Sequence, residues 1–364
     1  MEQKEKITGT QIAMLLFIFV TSTIIIYVPG FAAKDAQESA WLAASIPPLT
    51  FGLLTLVVVC KLGSYFPKLT IFQYCEVIMG RFLGKGFGIA YIIFLLVMDV
   101  LVLREFSDFL IITTLPLTPR IGLLASAVAL ASYGAYKGLE VIARAVQFII
   151  GIYLLGFIIV ILLALINFEV GRLLPVMEEG LMPIIRGAMA PAAWYGEICI
   201  LAMLFPYGNK TAELKKKGVI TLIAITLFVT ADVVVTIGVL GASETCAPTF
   251  PFWTLTRSIE LSEVAQRLES PLLVIWISGI MIKATLLSYL MGLGLTQLFE
   301  WKRIKTALGI CAISELLVAD VLIGNASQIS IILRSYWPPF AMVFELVIPT
   351  FLLGMARLEK HFKR

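Results

Sequence analysis

Long apolar stretches separated by short polar connections run along the whole chain. There are ten such stretches, at residues 8–31, 38–60, 86–115, 119–136, 140–166, 186–206, 218–241, 271–299, 305–323 and 337–357. A helix needs about 20 apolar residues to cross the hydrocarbon core of a bilayer. The pattern therefore predicts an all-α polytopic membrane protein with ten transmembrane helices, called spans 1 to 10 below.

The distribution of positive charge supports this count and gives an orientation. With the N-terminus in the cytoplasm, 19 of the 28 Lys and Arg residues fall in segments on the cytoplasmic side and seven on the other. Arg104 and Lys283 lie within spans. Cytoplasmic loops of membrane proteins carry an excess of Lys and Arg, so both termini are predicted to be cytoplasmic.

Composition excludes other classes of protein. Hydrophobic residues make up 60% of the chain and charged residues 14%, and the mean hydropathy is +0.97. Soluble domains carry about 25% charged residues, and disordered chains have low hydrophobicity. The lipid bilayer is the environment that this composition fits, and a net charge of +4 does not indicate a nucleic-acid partner.

Cysteine and histidine content argues against metal and hydrolase chemistry. The five cysteines show no pair in one predicted external loop, so no disulfide framework is predicted. The single histidine, His361, lies in the C-terminal tail, which excludes a histidine-based metal site or a Ser–His hydrolase within the spans. No nucleophile–base set supports an enzyme, and no cofactor is expected.

Two long loops and the span count define the expected organisation within one transmembrane domain, residues 1–364. Residues 61–85 are predicted to form a helix on the cytoplasmic surface, and residues 242–270 a cap on the outer face. Ten spans divide into halves of five, residues 1–166 and 167–364. An odd number of spans per half inverts the second half, which is a common plan among transporters.

Charged residues within the spans are the main functional candidates, because charge inside a membrane is costly. Glu197 and Lys283 lie near the middle of spans 6 and 8 and are predicted to pair. A buried ion pair can lose more free energy in desolvation than it gains from attraction. Two interpretations remain open: a salt bridge that packs helices together, or a polar cavity lined by one or both residues. The other charges within spans are Asp99, Arg104, Glu105, Asp232, Glu315, Asp320 and Glu345.

Helix-breaking and polar residues recur in the first span of each half. Span 1 contains Thr21-Ser22-Thr23 and then Pro29-Gly30, and span 6 contains Pro183, Pro191 and Gly196 next to Glu197. Interrupted helices in matching positions point to a binding site near the midplane, because unwound backbone offers free N–H and C=O groups. The alternative is that each proline only kinks or ends a helix.

Helical spacing places further residues in the same predicted cavity, which spans 1, 3, 6 and 8 would enclose. Phe94, Met98 and Glu105 on span 3 are four and seven residues apart, so they share one helical face. That face is predicted to point inward.

Several strings, in this order and spacing, resemble one known family. They are Leu103-Arg104-Glu105-Phe106-Ser107-Asp108-Phe109 followed by Thr118-Pro119, Tyr195-Gly196-Glu197 ending at Phe205-Pro206, and Arg267-Leu268-Glu269-Ser270 leading to Trp276 and Lys283. Phe66-Pro67 through Gly80 and Gly84 also fits. The chain resembles, over essentially its whole length, the spore germination receptor B-subunit family.

The resemblance implies a fold like that of the amino acid–polyamine–organocation transporters (LeuT-like), with two inverted five-helix repeats and interrupted helices 1 and 6. It implies residence in the inner membrane of a bacterial endospore, and assembly with an A subunit and a lipoprotein C subunit. It also implies a transporter-like pocket for a small nutrient, often an amino acid. Thr21-Ser22-Thr23 stands where related proteins often have glycines.

The leading hypothesis is a ligand-binding receptor subunit that triggers germination. Lys283, or free N–H groups at a break in span 1, would meet the carboxylate of an amino acid, and Glu197 its ammonium. The alternative is a proton-coupled amino acid permease in which Glu197 or Asp99 cycles a proton; a fixed Lys283 ammonium argues against sodium coupling. The candidate ligand-binding residues are Thr21, Ser22, Thr23, Phe94, Met98, Tyr195, Gly196, Glu197 and Lys283. Candidates for a gate or polar network are Asp99, Arg104, Glu105 and Glu345.

Overall fold

A computed structural model describes residues 6–208, 211–259, 269–321, 324 and 326–362, and all regular elements within these residues are helical. The longer α-helices are α1 (Gly9–Ala36), α3 (Ile46–Tyr65), α4 (Ile71–Thr113), α5 (Arg120–Tyr136), α6 (Leu139–Ala164), α7 (Leu181–Gly196), α9 (Thr211–Leu240), α12 (Glu269–Leu298), α13 (Ile304–Val321) and α16 (Ile348–Phe362). The short ones are α2 (Ala40–Ala43), α8 (Leu201–Leu204), α10 (Ala242–Cys246), α11 (Pro251–Ser258), α14 (Ala326–Ile331) and α15 (Trp337–Met342).

Threonine caps fix where two of the membrane helices begin. Thr8 precedes α1. Its hydroxyl oxygen accepts a hydrogen bond from the backbone N–H of Gln11, and its own backbone N–H donates to the Gln11 side-chain oxygen. Thr70 and Gln73 form the same reciprocal arrangement before α4. Such a box satisfies backbone donors that would otherwise be unpaired at the start of a helix.

Eight helical segments in the described part of the chain are long and apolar enough to cross a membrane, which makes the protein integral and multi-pass. Helices α5 and α13, with 17 and 18 residues, are not among the eight. Both pack against each other and against α12. The expectation that they bring the total to ten remains a prediction.

Two of the spanning segments form the centre of the bundle. In the most apolar window of the Leu181–Tyr207 segment 94% of residues are buried, and in that of Gly9–Ala43 89%, against 28% for Leu139–Asn167. Helix α1 contacts α7, α9, α12 and α6. Because α1 and the α7 segment are enclosed by protein, polar side chains on them are shielded from lipid.

The predicted interruption of the first helix is wrong. Thr21, Ser22 and Thr23 lie inside α1, which is α-helical without a break from Gly9 to Ala36. The Thr21 hydroxyl donates to the carbonyl of Phe17 at 2.7 Å, and the Ser22 hydroxyl to that of Phe19 at 3.4 Å. Hydroxyls that bond to the preceding turn leave the helical backbone bonds in place.

The predicted interruption of the second central helix is observed in a mild form. Helix α7 ends at Gly196, and Glu197–Ile200 form a 3₁₀ helix before α8. A further 3₁₀ turn, Phe205–Tyr207, follows α8. A 3₁₀ stretch within a longer helix often marks a functional hinge or a strained sequence.

The two long loops both contain helices. The N-terminal part of α4, before Gly80, lies in the 61–85 segment. A kink at Gly80, whose φ of 78° is favourable only for glycine, separates it from the rest of the helix. Helices α10 and α11 occupy the 242–270 segment, of which residues 260–268 lie outside the described part. The side of the membrane for each loop, and the boundaries of the two halves, remain predictions.

Candidate functional site

A buried ion pair joins α12 to the end of α7. The Lys283 ammonium lies 2.7 Å from Glu197 Oε1 and 2.8 Å from Oε2, and both side chains are at most 2% exposed. The pairing predicted from the sequence is therefore confirmed. The carboxylate that accepts these bonds sits at the first residue of the 3₁₀ turn, where the chain departs from α-helical geometry.

Helix α1 supplies the third member of the site. The Thr23 hydroxyl oxygen accepts a hydrogen bond from Lys283 Nζ at 2.8 Å and another from the Trp194 indole N–H at 3.0 Å. An ammonium has three N–H donors, and the two Glu197 oxygens and Thr23 account for all three. The ammonium also lies 4.9 Å from the centre of the Phe19 ring, within the range of a cation–π contact.

A second indole ties α12 to α1 about two turns before Lys283 on α12. Trp276 donates its ring N–H to the Ser22 backbone carbonyl at 2.8 Å. Trp276 and Lys283 are seven residues apart, so they lie on one face of α12 and both meet α1. The structure thus brings Thr23, Glu197 and Lys283 together. Ser22 meets Trp276 through its backbone carbonyl, and the Thr21 and Ser22 hydroxyls are engaged with their own helix.

A further carboxylate approaches the end of α7 from the last membrane helix. Glu345 lies in a π-helical segment, Val343–Val347, and is fully buried. A Cβ atom at Gly196 would overlap the Glu345 carboxylate and lie 2.6 Å from Phe51. Only glycine at this position allows the carboxylate to reach the α7 backbone. Insertions that create π turns are frequent at functional sites.

Lys283 is surrounded by more acidic groups than it neutralises. Glu105, Glu345 and Asp99 all lie near enough to Lys283 to interact with it electrostatically, and Glu105 and Glu345 also face Glu197. Glu105 Oε2, both Glu345 oxygens and both Asp99 oxygens have no hydrogen-bond partner among the described residues. The site therefore combines one satisfied ion pair with several unused acceptors.

The aromatic candidate on α4 is interior but lies elsewhere. Phe94 and Met98 are at most 1% exposed, so the prediction that they face protein and not lipid is confirmed. Phe94 stacks on Phe344 with ring centres 4.8 Å apart and on Trp337 at 5.6 Å. Its observed ring partners belong to the last membrane helix, and the structure does not place it against Lys283.

Tyr195 and Arg104 also have partners away from the ion pair. The Tyr195 hydroxyl donates to the Ala44 carbonyl at 3.4 Å. Arg104 bonds to Asp108 at 3.1 Å and to the Ala319 carbonyl at 3.2 Å. Asp108 also pairs with Arg120 at 3.3 Å, so Arg104 belongs to a network that joins α4, α5 and α13.

Sequence reasoning missed the two indole donors of the site. Neither Trp194 nor Trp276 is among the predicted ligand-binding residues. The seven-residue spacing of Trp276 and Lys283 is the signal that could have found one of them. In the residues that the structure describes, no group of three or more His, Cys, Asp or Glu side chains could hold a metal ion.

Comparison with known proteins places the chain in a family. A family model described as spore germination protein matches residues 6–324. The chain belongs to the spore germination protein family. Its relatives within that family include spore germination protein YndE of Bacillus subtilis (strain 168), 26% identical over 84% of each chain. Spore germination protein KB of the same organism is 27% identical over 82% of this chain and 80% of its own. Spore germination protein XB of Bacillus anthracis is 25% identical over 87% of this chain and 88% of its own.

Solved structures show that the fold is that of LeuT-like transporters. Mhp1, a nucleobase-cation-symport-1 family transporter, in a closed conformation with bromovinylhydantoin bound, matches with a TM-score of 0.66 at 13% identity, over 94% of this chain and 78% of its own. MhsT in complex with L-phenylalanine matches with a TM-score of 0.63 at 12% identity, over 95% of this chain and 98% of its own. This spore germination protein thus shares its architecture with transporters that bind small molecules.

Proposed function

We propose that this chain is the germinant-binding B subunit of a spore germination receptor, and that it binds an amino acid at the Lys283–Glu197 pair. The observation that carries the proposal is the meeting of α1, the end of α7 and α12 on one buried, oppositely charged pair. Relatives named as spore germination proteins, together with a transporter fold, support a nutrient ligand. The proposed role is binding and needs neither catalysis nor a cofactor.

The chemistry of the pair suits a zwitterion. Lys283 and Glu197 lie 2.7 Å apart, so a ligand has to separate them to enter. An amino acid can replace their mutual contact with two new ones, its carboxylate meeting Lys283 and its ammonium meeting Glu197. The exchange conserves charge pairing in a buried site, where an unpaired charge is costly. The unused acceptors on Glu105 and Glu345 supply further partners for an ammonium with three donors.

The remaining features of the proposal concern assembly and location. We infer that the chain assembles with an A subunit and a lipoprotein C subunit in the inner membrane of a bacterial endospore, with both termini on the core side. Relatives that include a KB and a B2 protein support a receptor with several subunits. The excess of Lys and Arg in the segments on the N-terminal side supports the orientation.

Thr23 provides the test of the binding site. Thr23→Val removes the acceptor shared by Lys283 and Trp194 and keeps the shape of the side chain, whereas Thr23→Ser keeps the hydroxyl. Leaving a buried donor unpaired costs about 1–3 kcal/mol. In spores whose only nutrient receptor contains this chain, Thr23→Val should raise the germinant concentration needed for half-maximal response by roughly 5- to 150-fold. Thr23→Ser should respond like wild type.

A Thr23→Val receptor of normal abundance with an unchanged dose–response to every amino acid tested would remove the pair from the binding site. Uptake of labelled amino acids into proteoliposomes distinguishes a receptor from the alternative, a proton-coupled permease. Uptake that is driven by a proton gradient would favour the permease.

A further inference from the structure

A second buried acidic site lies between α4, α12 and α13. Asp99 on α4 and Glu315 on α13 are both 0% exposed, and Ser288 on α12 lies beside them, also 0% exposed. The Ser288 hydroxyl donates to Glu315 Oε1 at 3.0 Å. The Asp99 carboxyl is within hydrogen-bonding range of Glu315 and faces Ser288. Two acidic side chains and one hydroxyl therefore meet inside the protein, where α4, α12 and α13 pack together.

The donors at this site are too few for two carboxylates. Ser288 has one hydroxyl proton, and Glu315 Oε1 receives it. Both Asp99 oxygens and Glu315 Oε2 have no hydrogen-bond partner in the part of the chain that the structure describes. Asp99 is therefore a completely buried, unpartnered polar side chain that points into the Ser288–Glu315 contact.

Neighbouring charged groups do not supply the missing donor. Among the residues that the structure describes, the other ionisable groups that face the site are Lys283 on α12 and Cys311 on α13. The three N–H donors of Lys283 are engaged with Glu197 and Thr23. Cys311 is a buried thiol and carries no positive charge. Two carboxylates that share a buried site cannot both remain ionised, because like charges at short range repel strongly at low dielectric.

We propose that Asp99 and Glu315 together bind a single proton, which one carboxyl donates to the other, and that Ser288 orients the pair. The proton supplies the donor that the surrounding side chains lack. It joins α4 to α13 without a net positive charge in the membrane interior. The acidic pair adjoins Lys283 through Asp99, and the proposal does not depend on which ligand the receptor binds.

Infrared spectroscopy of the full-length chain, purified in lipid nanodiscs at neutral pH, tests this proposal. A protonated carboxyl group has a C=O stretching band that an ionised carboxylate lacks. Asp99→Asn and Glu315→Gln each supply an amide N–H donor to the remaining carboxylate, so each should lose the band intensity of one carboxyl group. The double variant should lose the same single amount. Glu140→Gln, at an exposed carboxylate paired with Arg144, is the matched control and should lose none.

Three results would overturn the shared proton. No loss in the double variant would mean that both carboxyls are ionised in wild type. A double variant that loses twice the intensity of each single variant would mean that each carboxyl holds its own proton. A wild-type band that appears only when sodium is replaced by choline would mean that the pair binds a metal cation.

A second measurement keeps the proposal testable if either variant is poorly folded. Release of the shared proton at alkaline pH removes the bond between α4 and α13 and leaves two charges in contact. The melting temperature of the wild-type chain should therefore fall more between neutral and alkaline pH than that of Ser288→Ala, which still holds the proton. Glu140→Gln is the matched control, and its melting temperature should fall like that of wild type. Ser288→Ala should lose its thermal stability at a more alkaline pH than wild type, because it lacks the hydroxyl that stabilises the ionised carboxylate. Identical pH profiles for all three chains would contradict the assignment.

Discussion

Removal of the Lys283 ammonium gives the most informative perturbation of the site. Lys283→Met keeps the unbranched stem of the side chain without its ammonium and leaves Glu197 buried, with neither of its two short bonds of 2.7 and 2.8 Å. It also leaves Thr23 without one of its donors. Breaking a buried ion pair by removing one partner costs about 3–5 kcal/mol, because an uncompensated charge remains.

The double variant Glu197→Gln/Lys283→Met separates this penalty from the value of the pair. It replaces both charges with neutral groups of similar size, and such replacements are often neutral or even stabilising. We therefore expect Lys283→Met to lower the free energy of unfolding by about 3–5 kcal/mol and the double variant to recover most of that loss. Thermal unfolding of the purified chains in one detergent, followed by tryptophan fluorescence, measures both.

The comparison of the two chains can refute the reasoning. If the double variant is as unstable as Lys283→Met, the loss comes from packing around the lysine stem and not from an unpaired Glu197. If Lys283→Met is as stable as wild type, the ion pair is not closed in the resting protein. Either result would remove the physical basis for a ligand that enters by separating the two charges.

Two further predictions concern the end of α7 and the topology. Gly196→Ala should destabilise the protein by about 1–3 kcal/mol, since the added methyl group overlaps the Glu345 carboxylate. Gly309→Ala, where a Cβ meets nothing within 4 Å, should be neutral or slightly stabilising in the same unfolding assay. Single cysteines should be labelled by a membrane-impermeant reagent from outside at Ser258 and only from inside at Thr211, and outside labelling at Thr211 would overturn the orientation.

The helices and the ion pair could be predicted because each depends on local sequence. The stretch predicted at 119–136 is α5, Arg120–Tyr136, and that at 140–166 corresponds to α6, Leu139–Ala164. Length and hydropathy are enough for such boundaries. Equal depth in the membrane was enough to pair Glu197 with Lys283, because a buried charge needs a partner of opposite sign.

Features that depend on tertiary neighbours were harder to predict. Helical spacing assigned Phe94 to an interior face but could not say that Phe344 and Trp337 lie opposite it. Three consecutive hydroxyl residues suggested a break in α1, yet at least two of them bond back to the preceding turn. The meeting of Asp99 with Glu315 and Ser288 joins three helices, and no local pattern in one sequence reports such a contact.

The most direct test of the account is the binding of amino acids to the purified full-length chain in lipid nanodiscs. Equilibrium binding is measured with a panel of labelled amino acids for wild type and for the Glu197→Gln/Lys283→Met variant, after both are shown to unfold cooperatively. The account predicts saturable binding of at least one amino acid to wild type. It predicts a loss of at least roughly 10-fold in affinity in the variant, as expected when a charge-assisted hydrogen bond of about 1.5–3 kcal/mol is lost. A folded variant that binds the same amino acid as tightly as wild type would contradict the central claim.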